Sequence, residues 1–280
     1  MDESPAMNLP SRWLALIVAI SFVAIGSLPL TVAQTNHSAE SLPAASNVVQ
    51  RLLDRVQLIA GAQQTSPYIY EKRSVTSELD EKERVLKSTE KLYRVEMTGG
   101  LAFSRLIKVQ GRELTEQELE MENKRETAFR QKVTRIDLTK KAKKKEGLVT
   151  RELVDRFEFQ ITKRELIEDR PTLVMVFKPR NGAPVESMED KVFMHVIGTV
   201  WVDEEDAEMT RLDVSLGKPV SLGWFGAIGS LNKFQATVDR SRMPDGVWVT
   251  RKSTFRVLAR KLVSWIRTKT TEESSGFRKE

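Results

Sequence analysis

"GTVWVDEEDAEMTRLDVSL", Gly198 to Leu216, is the stretch on which the fold turns. An apolar, β-branched run meets four consecutive acids, Asp203 to Asp206. Strict alternation follows, with Leu212, Val214 and Leu216 on one side and Arg211, Asp213 and Ser215 on the other. A period of two is the signature of a half-buried strand. The acids therefore sit where one strand, Val192 to Val202, reverses into the next, Thr210 to Leu216. Carboxylates in such a connection are expected to be held by water. The rival reading, a calcium loop, would need spaced oxygen ligands and a glycine hinge, and this stretch has neither.

The same period runs outward in both directions. Upstream, "YIYEKRSVTSEL", "RVLKSTEKLYRVEM" and "LAFSRLIKVQG" read as long strands, the first two joined around "DEKE"; "ELVDRFEFQIT" and "TLVMVFKP" follow. "VFMHVIGTVWV" reads as one strand that is apolar on both faces, so its second face needs a cover: a helix, closure of the sheet, or an apolar ligand. Downstream come "NKFQATVDR" and "GVWVTRKSTFRV", separated by "MPDG", a tight-turn sequence. About ten strands in succession predict one large curved antiparallel sheet or half-open barrel, a mainly β (α+β) architecture, rather than a parallel α/β fold. Two helices complete it. "NVVQRLLDRVQLIAGAQQ" carries Val49, Leu52, Leu53, Val56 and Ile59 at helical spacing, with Ser46 or Asn47 as cap. A long charged helix over about 115–145 opens with a Thr115–Glu118 capping box, its acids early and its bases late as the helix dipole favours.

Composition narrows the chemistry. Across 280 residues, 40% apolar content supports a real core, and with no cysteine there is no disulfide, thiolate nucleophile or Cys-bound metal. The two histidines, His37 and His195, cannot build a multi-histidine metal centre, and a lone His195 on an apolar strand reads as a hydrogen-bonded core residue. Phosphate loops and nucleophile motifs are missing. Paired acids such as Asp155 and Glu158 do not rise above ordinary surface charge. The chain is therefore read as a non-enzyme that needs no cofactor.

"WLALIVAISFVAIGSLPL" follows Arg12, and Thr31 and Ala33 supply small residues before Gln34. This reads as an export signal over 1–33, then a polar linker over 34–46, then a single domain over 47–280. Export without disulfides points to a bacterial periplasm; the alternative is an inner-membrane anchor by an uncleaved helix. Two further segments stand out. "SLGWFGAIGSL" sets Trp224 and Phe225 among glycines, either as the lip of a ligand mouth or as a buried loop. In "KKAKKK", Lys140, Lys141, Lys143, Lys144 and Lys145 suit an anionic inner- or outer-membrane surface, with a solvated helix end as the plain alternative. An exported chain without interleaved aromatics is not expected to bind nucleic acid.

The export signal, leading amphipathic helix, long antiparallel sheet, helical interruption and late "WVDEEDAEMTRLDV" and "MPDGVWVTRKSTFRV" together resemble the LolA/LolB/RseB-like superfamily, in particular its outer-membrane lipoprotein-sorting-like members. The resemblance spans roughly residues 46 to 275. It implies a half-open barrel whose concave side holds acyl chains of a lipid or lipidated protein. On that basis Phe157, Phe159, Met175, Phe177, Met194 and Val196 are the expected apolar lining, with Trp224 and Phe225 at the lip. The resemblance to RseB admits a second role, a regulatory or scaffold module docking another envelope protein through its sheet or charged helix.

Overall fold

The computed structural model describes residues 41–61, 68–99, 101–135, 151–222, 229–262 and 264–279; the expected export signal over 1–33, the lysines Lys140 to Lys145 and the aromatics Trp224 and Phe225 lie outside them. Within the described residues twelve strands form one antiparallel sheet that does not close into a barrel. In chain order the elements are α1 (Ala45–Gly61), β1 (Tyr68–Leu79), β2 (Val85–Thr98), β3 (Leu101–Val109), β4 (Arg112–Glu113), α2 (Glu116–Arg135), α3 (Arg151–Asp155), β5 (Phe157–Ile167), β6 (Arg170–Pro179), α4 (Met188–Phe193), β7 (Val196–Asp203), β8 (Glu208–Leu216), β9 (Val220–Leu222), β10 (Gly229–Arg242), β11 (Trp248–Lys261) and β12 (Ser264–Lys279). The sheet order is β4-β3-β2-β1-β12-β11-β10-β8-β7-β6-β5, with β9 beside β10. The first strand thus lies against the last, and two meanders are joined through β12. No helix among the described residues is long and apolar enough to cross a membrane.

The alternation gives the sheet two unlike faces. One row of paired residues runs Phe159, Phe177, Gly198, Val214, Ala236, Phe255. The next row on that face carries Met175, Val200, Leu212 and Val238. Both belong to the packed core. Helix α1 closes it at one end, setting Val48 against Leu173, Met175, Val200 and Val202. At the other end Val192 of α4 and Leu153 of α3 join Phe157, Val196, Phe234 and Phe255. Burying each large side chain removes it from water at a gain of about 1.5–3 kcal/mol. Gly198 has a packing reason: a Cβ there would meet the backbone oxygen of Asp213 and lie 2.6 Å from Cζ of Phe177, whose ring covers the position.

Three readings of the sequence change here. "VFMHVIGTVWV" is not one strand. Ser187 caps a short helix through a box with Asp190, which also pairs with Arg156 at 2.8 Å, so residues 188–193 are helical and the strand begins only at Val196. "ELVDRFEFQIT" likewise opens with the single turn of α3 and extends only from Phe157. Helix α1 starts at Ala45, one residue ahead of the expected cap, and buries Val48 rather than relying on Val49 alone.

Helix α2 covers the outer edge of β3. That strand has only the two-residue β4 beyond it, which leaves backbone groups of Ser104 and Leu106 facing outward. The Leu106 N–H donates to Oε1 of Glu122 at 2.9 Å, and Arg125 donates to the Ser104 carbonyl. Phe129 packs on Phe103 with ring centroids 4.9 Å apart. The capping box is present as read: Glu118 N–H donates to Oγ1 of Thr115, and Thr115 N–H to Oε2 of Glu118. Arg112 and these bonds pull the Glu118 carboxyl down to about 2.

Candidate functional site

The acidic turn is the hairpin that its sequence implies, with β7 ending at Asp203 and β8 beginning at Glu208. It is not held by water. Asp203 has no exposed surface and accepts from Arg170 Nε at 2.5 Å and Nη2 at 2.9 Å, and from the backbone N–H groups of Glu205 and Asp206. Glu204 takes Arg164, and Asp206 takes Arg242 and the indole N–H of Trp248. Next to them Glu208 binds both Arg55 of α1 and the fully buried Arg240. Four carboxylates are thereby neutralised by arginines from four other elements. Buried charge is tolerated only when paired in this way. This end of the molecule is a structural lock that ties α1 to the β7–β8 hairpin, and the turn's acids are not available to a cation.

The open space lies on the opposite face. There the paired row reads Gln160, Val176, Thr199, Asp213, Thr237, Thr254, and beside it Ile197, Ser215, Gln235, Arg256, Lys269. These residues line a cavity of about 1130 Å³ that spans strands β5 to β12 and opens to solvent. A cavity reaching across so many adjacent strands requires that the sheet curl toward this face. The curl is visible at one end: Glu83, in the β1–β2 turn, reaches past β12 to Lys233 of β10 at 2.8 Å and Arg256 of β11 at 2.7 Å. Those two cations hold the Glu83 carboxyl below its ordinary value.

The trough is amphipathic. Val176 and Ile197 are 37% and 42% exposed in its floor, and the threonines add methyl groups beside their hydroxyls. Arg256 and Lys269 form a cationic wall, and Glu158 pairs with Lys178 at the far side. Asp213 stands between Thr199 and Thr237 with no hydrogen bond or ion pair among the described residues; burial, the largest influence, pushes its pKa up, opposed by Arg211 and reinforced by Asp239.

The expected lining residues divide. Phe159 and Phe177 lie on strands that line the trough, but their rings belong to the packed face, tilted against each other with centroids 5.8 Å apart. Phe157, Met175 and Val196 are buried in the packed face, and Met194 is the C-cap of α4. The residues that the sequence did not single out are the polar partners in each alternation: Thr199, Asp213, Thr237, Thr254, Arg256 and Lys269. Their signal was present in the pattern, but alternation marks them only as the non-core face.

No family model and no curated protein matches the chain. Among solved structures it is similar to a DUF1329 family protein from Desulfovibrio piger, with 11% identity over 83% of this chain and 93% of that one and a TM-score of 0.32. It is also similar to a LolA superfamily protein from Nitrosomonas europaea, with 10% identity over 82% and 93% and a TM-score of 0.28. A third is MucB in the MucA/MucB complex of Pseudomonas aeruginosa, with 9% identity over 85% and 99% and a TM-score of 0.27. At scores this low none of them bears on function; the trough's own chemistry does.

Proposed function

We propose that the protein is a non-catalytic binding protein of the bacterial cell envelope that holds a lipid or lipidated polypeptide along the concave face of its sheet. The observation that carries this is the amphipathic trough, with apolar side chains and threonine methyls in its floor and Arg256 and Lys269 on one wall. An acyl chain lying over Val176 and Ile197 would gain about 0.8 kcal/mol per buried methylene, enough for reversible holding. An anionic headgroup would face the cationic wall. Catalysis has little support in the trough: Glu158 is paired with Lys178 and Asp213 has no base or nucleophile bonded to it.

Native mass spectrometry of the chain from Gln34 onward, purified gently from a bacterial periplasm, tests the reading. A stoichiometric lipid or acyl-peptide adduct is expected, and Val176→Asp with Ile197→Asp should lower its occupancy several-fold without unfolding the protein, since both side chains are already exposed. A bare mass that takes up neither phospholipid nor acyl peptide would sink it. Trp224→Ser with Phe225→Ser separately tests the lip, which unchanged affinity would remove.

A further inference from the structure

Two hairpin tips meet at one end of the sheet, and both carry side chains that a turn in water has no use for. Val85 and Leu86 follow the β1–β2 turn and are 60% and 69% exposed; Leu262 and Trp265 flank the β11–β12 turn and are 65% and 44% exposed. The tips abut, because Arg267 of β12 pairs with Glu81 of the β1–β2 turn at 3.2 Å and lies over the Trp265 ring. The β11–β12 turn is the more telling. Lys261 pairs with Ser264, so Leu262 sits in a tight turn. Such turns favour Asn-Gly, since the backbone must enter the left-handed region. Leu262 adopts φ +53, so a bulky apolar residue sits where it is both strained and wet.

Charge at these tips has one sign to spare. Asp80, Glu81 and Glu83 are each already bound to an arginine or lysine of the protein. Lys82, Arg260 and Lys261 are exposed and make no ion pair among the described residues. Apolar side chains ringed by unpaired cations match the interface of an anionic bilayer, where the former enter the headgroup boundary and the latter meet phosphates.

We infer that this end of the sheet docks on an anionic phospholipid membrane, with Leu86, Leu262 and Trp265 inserted and Lys82, Arg260 and Lys261 against the headgroups. The surface is made of residues that do not line the trough and needs no occupant in it, so sedimentation with vesicles and the adduct mass report on the two readings separately. The experiment uses the chain from Gln34 onward, which contains every described element, and vesicles of phosphatidylglycerol with phosphatidylcholine or of phosphatidylcholine alone. Binding should require phosphatidylglycerol and weaken about tenfold from low salt to 0.5 M salt. Leu86→Ser with Trp265→Ser, and Arg260→Glu with Lys261→Glu, should each abolish it. Leu262→Asn should raise the thermal midpoint while weakening binding, a combination that a purely structural Leu262 would not give. Absent sedimentation, equal binding to neutral vesicles, or binding that survives both double substitutions yet disappears when Lys140 to Lys145 are replaced would each overturn the inference.

Discussion

The carboxylate of Asp203 is surrounded by four donors, two from Arg170 and two from the backbone of its own turn. Asp203→Ala should therefore lower folding stability by about 2 kcal/mol, since it leaves two buried amides of the turn unbonded and takes from Arg170 its buried partner, although Glu205 and Asp206 still pair with that guanidinium. Urea unfolding would show this as a lower midpoint at unchanged slope; a shift under about 0.5 kcal/mol, the size of an ordinary surface substitution, would mean that the turn is solvated after all. The sequence places these acids in a hairpin correctly and misjudges what holds them. Their partners Arg170 and Arg242 are 33 and 36 residues away, and a local pattern carries no sign of a contact at that separation. The same limit applies to Asp213, whose isolation in the trough depends on which strands flank it.

The long charged helix α2 was legible as a helix from its capping box and charge gradient, but its task was not. Its few apolar residues do not suit the cover of a greasy pocket, and the structure gives its polar side chains a different use, satisfying the free backbone groups of an edge strand. Such edges otherwise invite pairing with another chain. Glu122→Ala with Arg125→Ala should speed hydrogen exchange of the Leu106 amide at least about tenfold and increase self-association at high concentration, the open-edge outcome; unchanged exchange would show that the helix covers the edge by bulk alone. Strand β12 was missed altogether. "SWIRTKTTEESSGFRK" has no apolar stripe, so its strand character rests on β-branched threonines and on pairing with β1 on one side and β11 on the other. The helix α4 was misread for the opposite reason, since its Val192 and Phe193 continue an apolar run into the following strand.

Across the whole molecule, the number and antiparallel sense of the strands followed from periodicity, whereas the direction of curl did not. Alternation defines two faces and leaves open which one becomes hollow. The Glu83 contacts to Lys233 and Arg256 span the hollow near one end and hold the β1–β2 hairpin over β10 and β11. As exposed pairs they contribute about 0–1 kcal/mol each to global stability. Their effect should instead be on shape. The chain lacks cysteine, so spin labels at Lys82→Cys and Gln235→Cys report one distance cleanly. Glu83→Ala should lengthen and broaden that distance with little change in unfolding midpoint, and an unaltered distribution would show that the curl is intrinsic to the strands.

The pairing of β1 with β12 also sets an order in time. Thr76 and Thr270 touch across 194 residues, so a chain delivered from its N-terminus builds β1 to β4 and then β5 to β11 as two unfinished half-sheets. Each carries a raw edge until its shared neighbour is delivered last, and before that moment the hollow lacks its Lys269 wall and the β1–β2 hairpin beside it. Contacts this distant in sequence form slowly and leave strands exposed meanwhile. Any factor that escorts the newborn chain must therefore shield two partners at once and release them together.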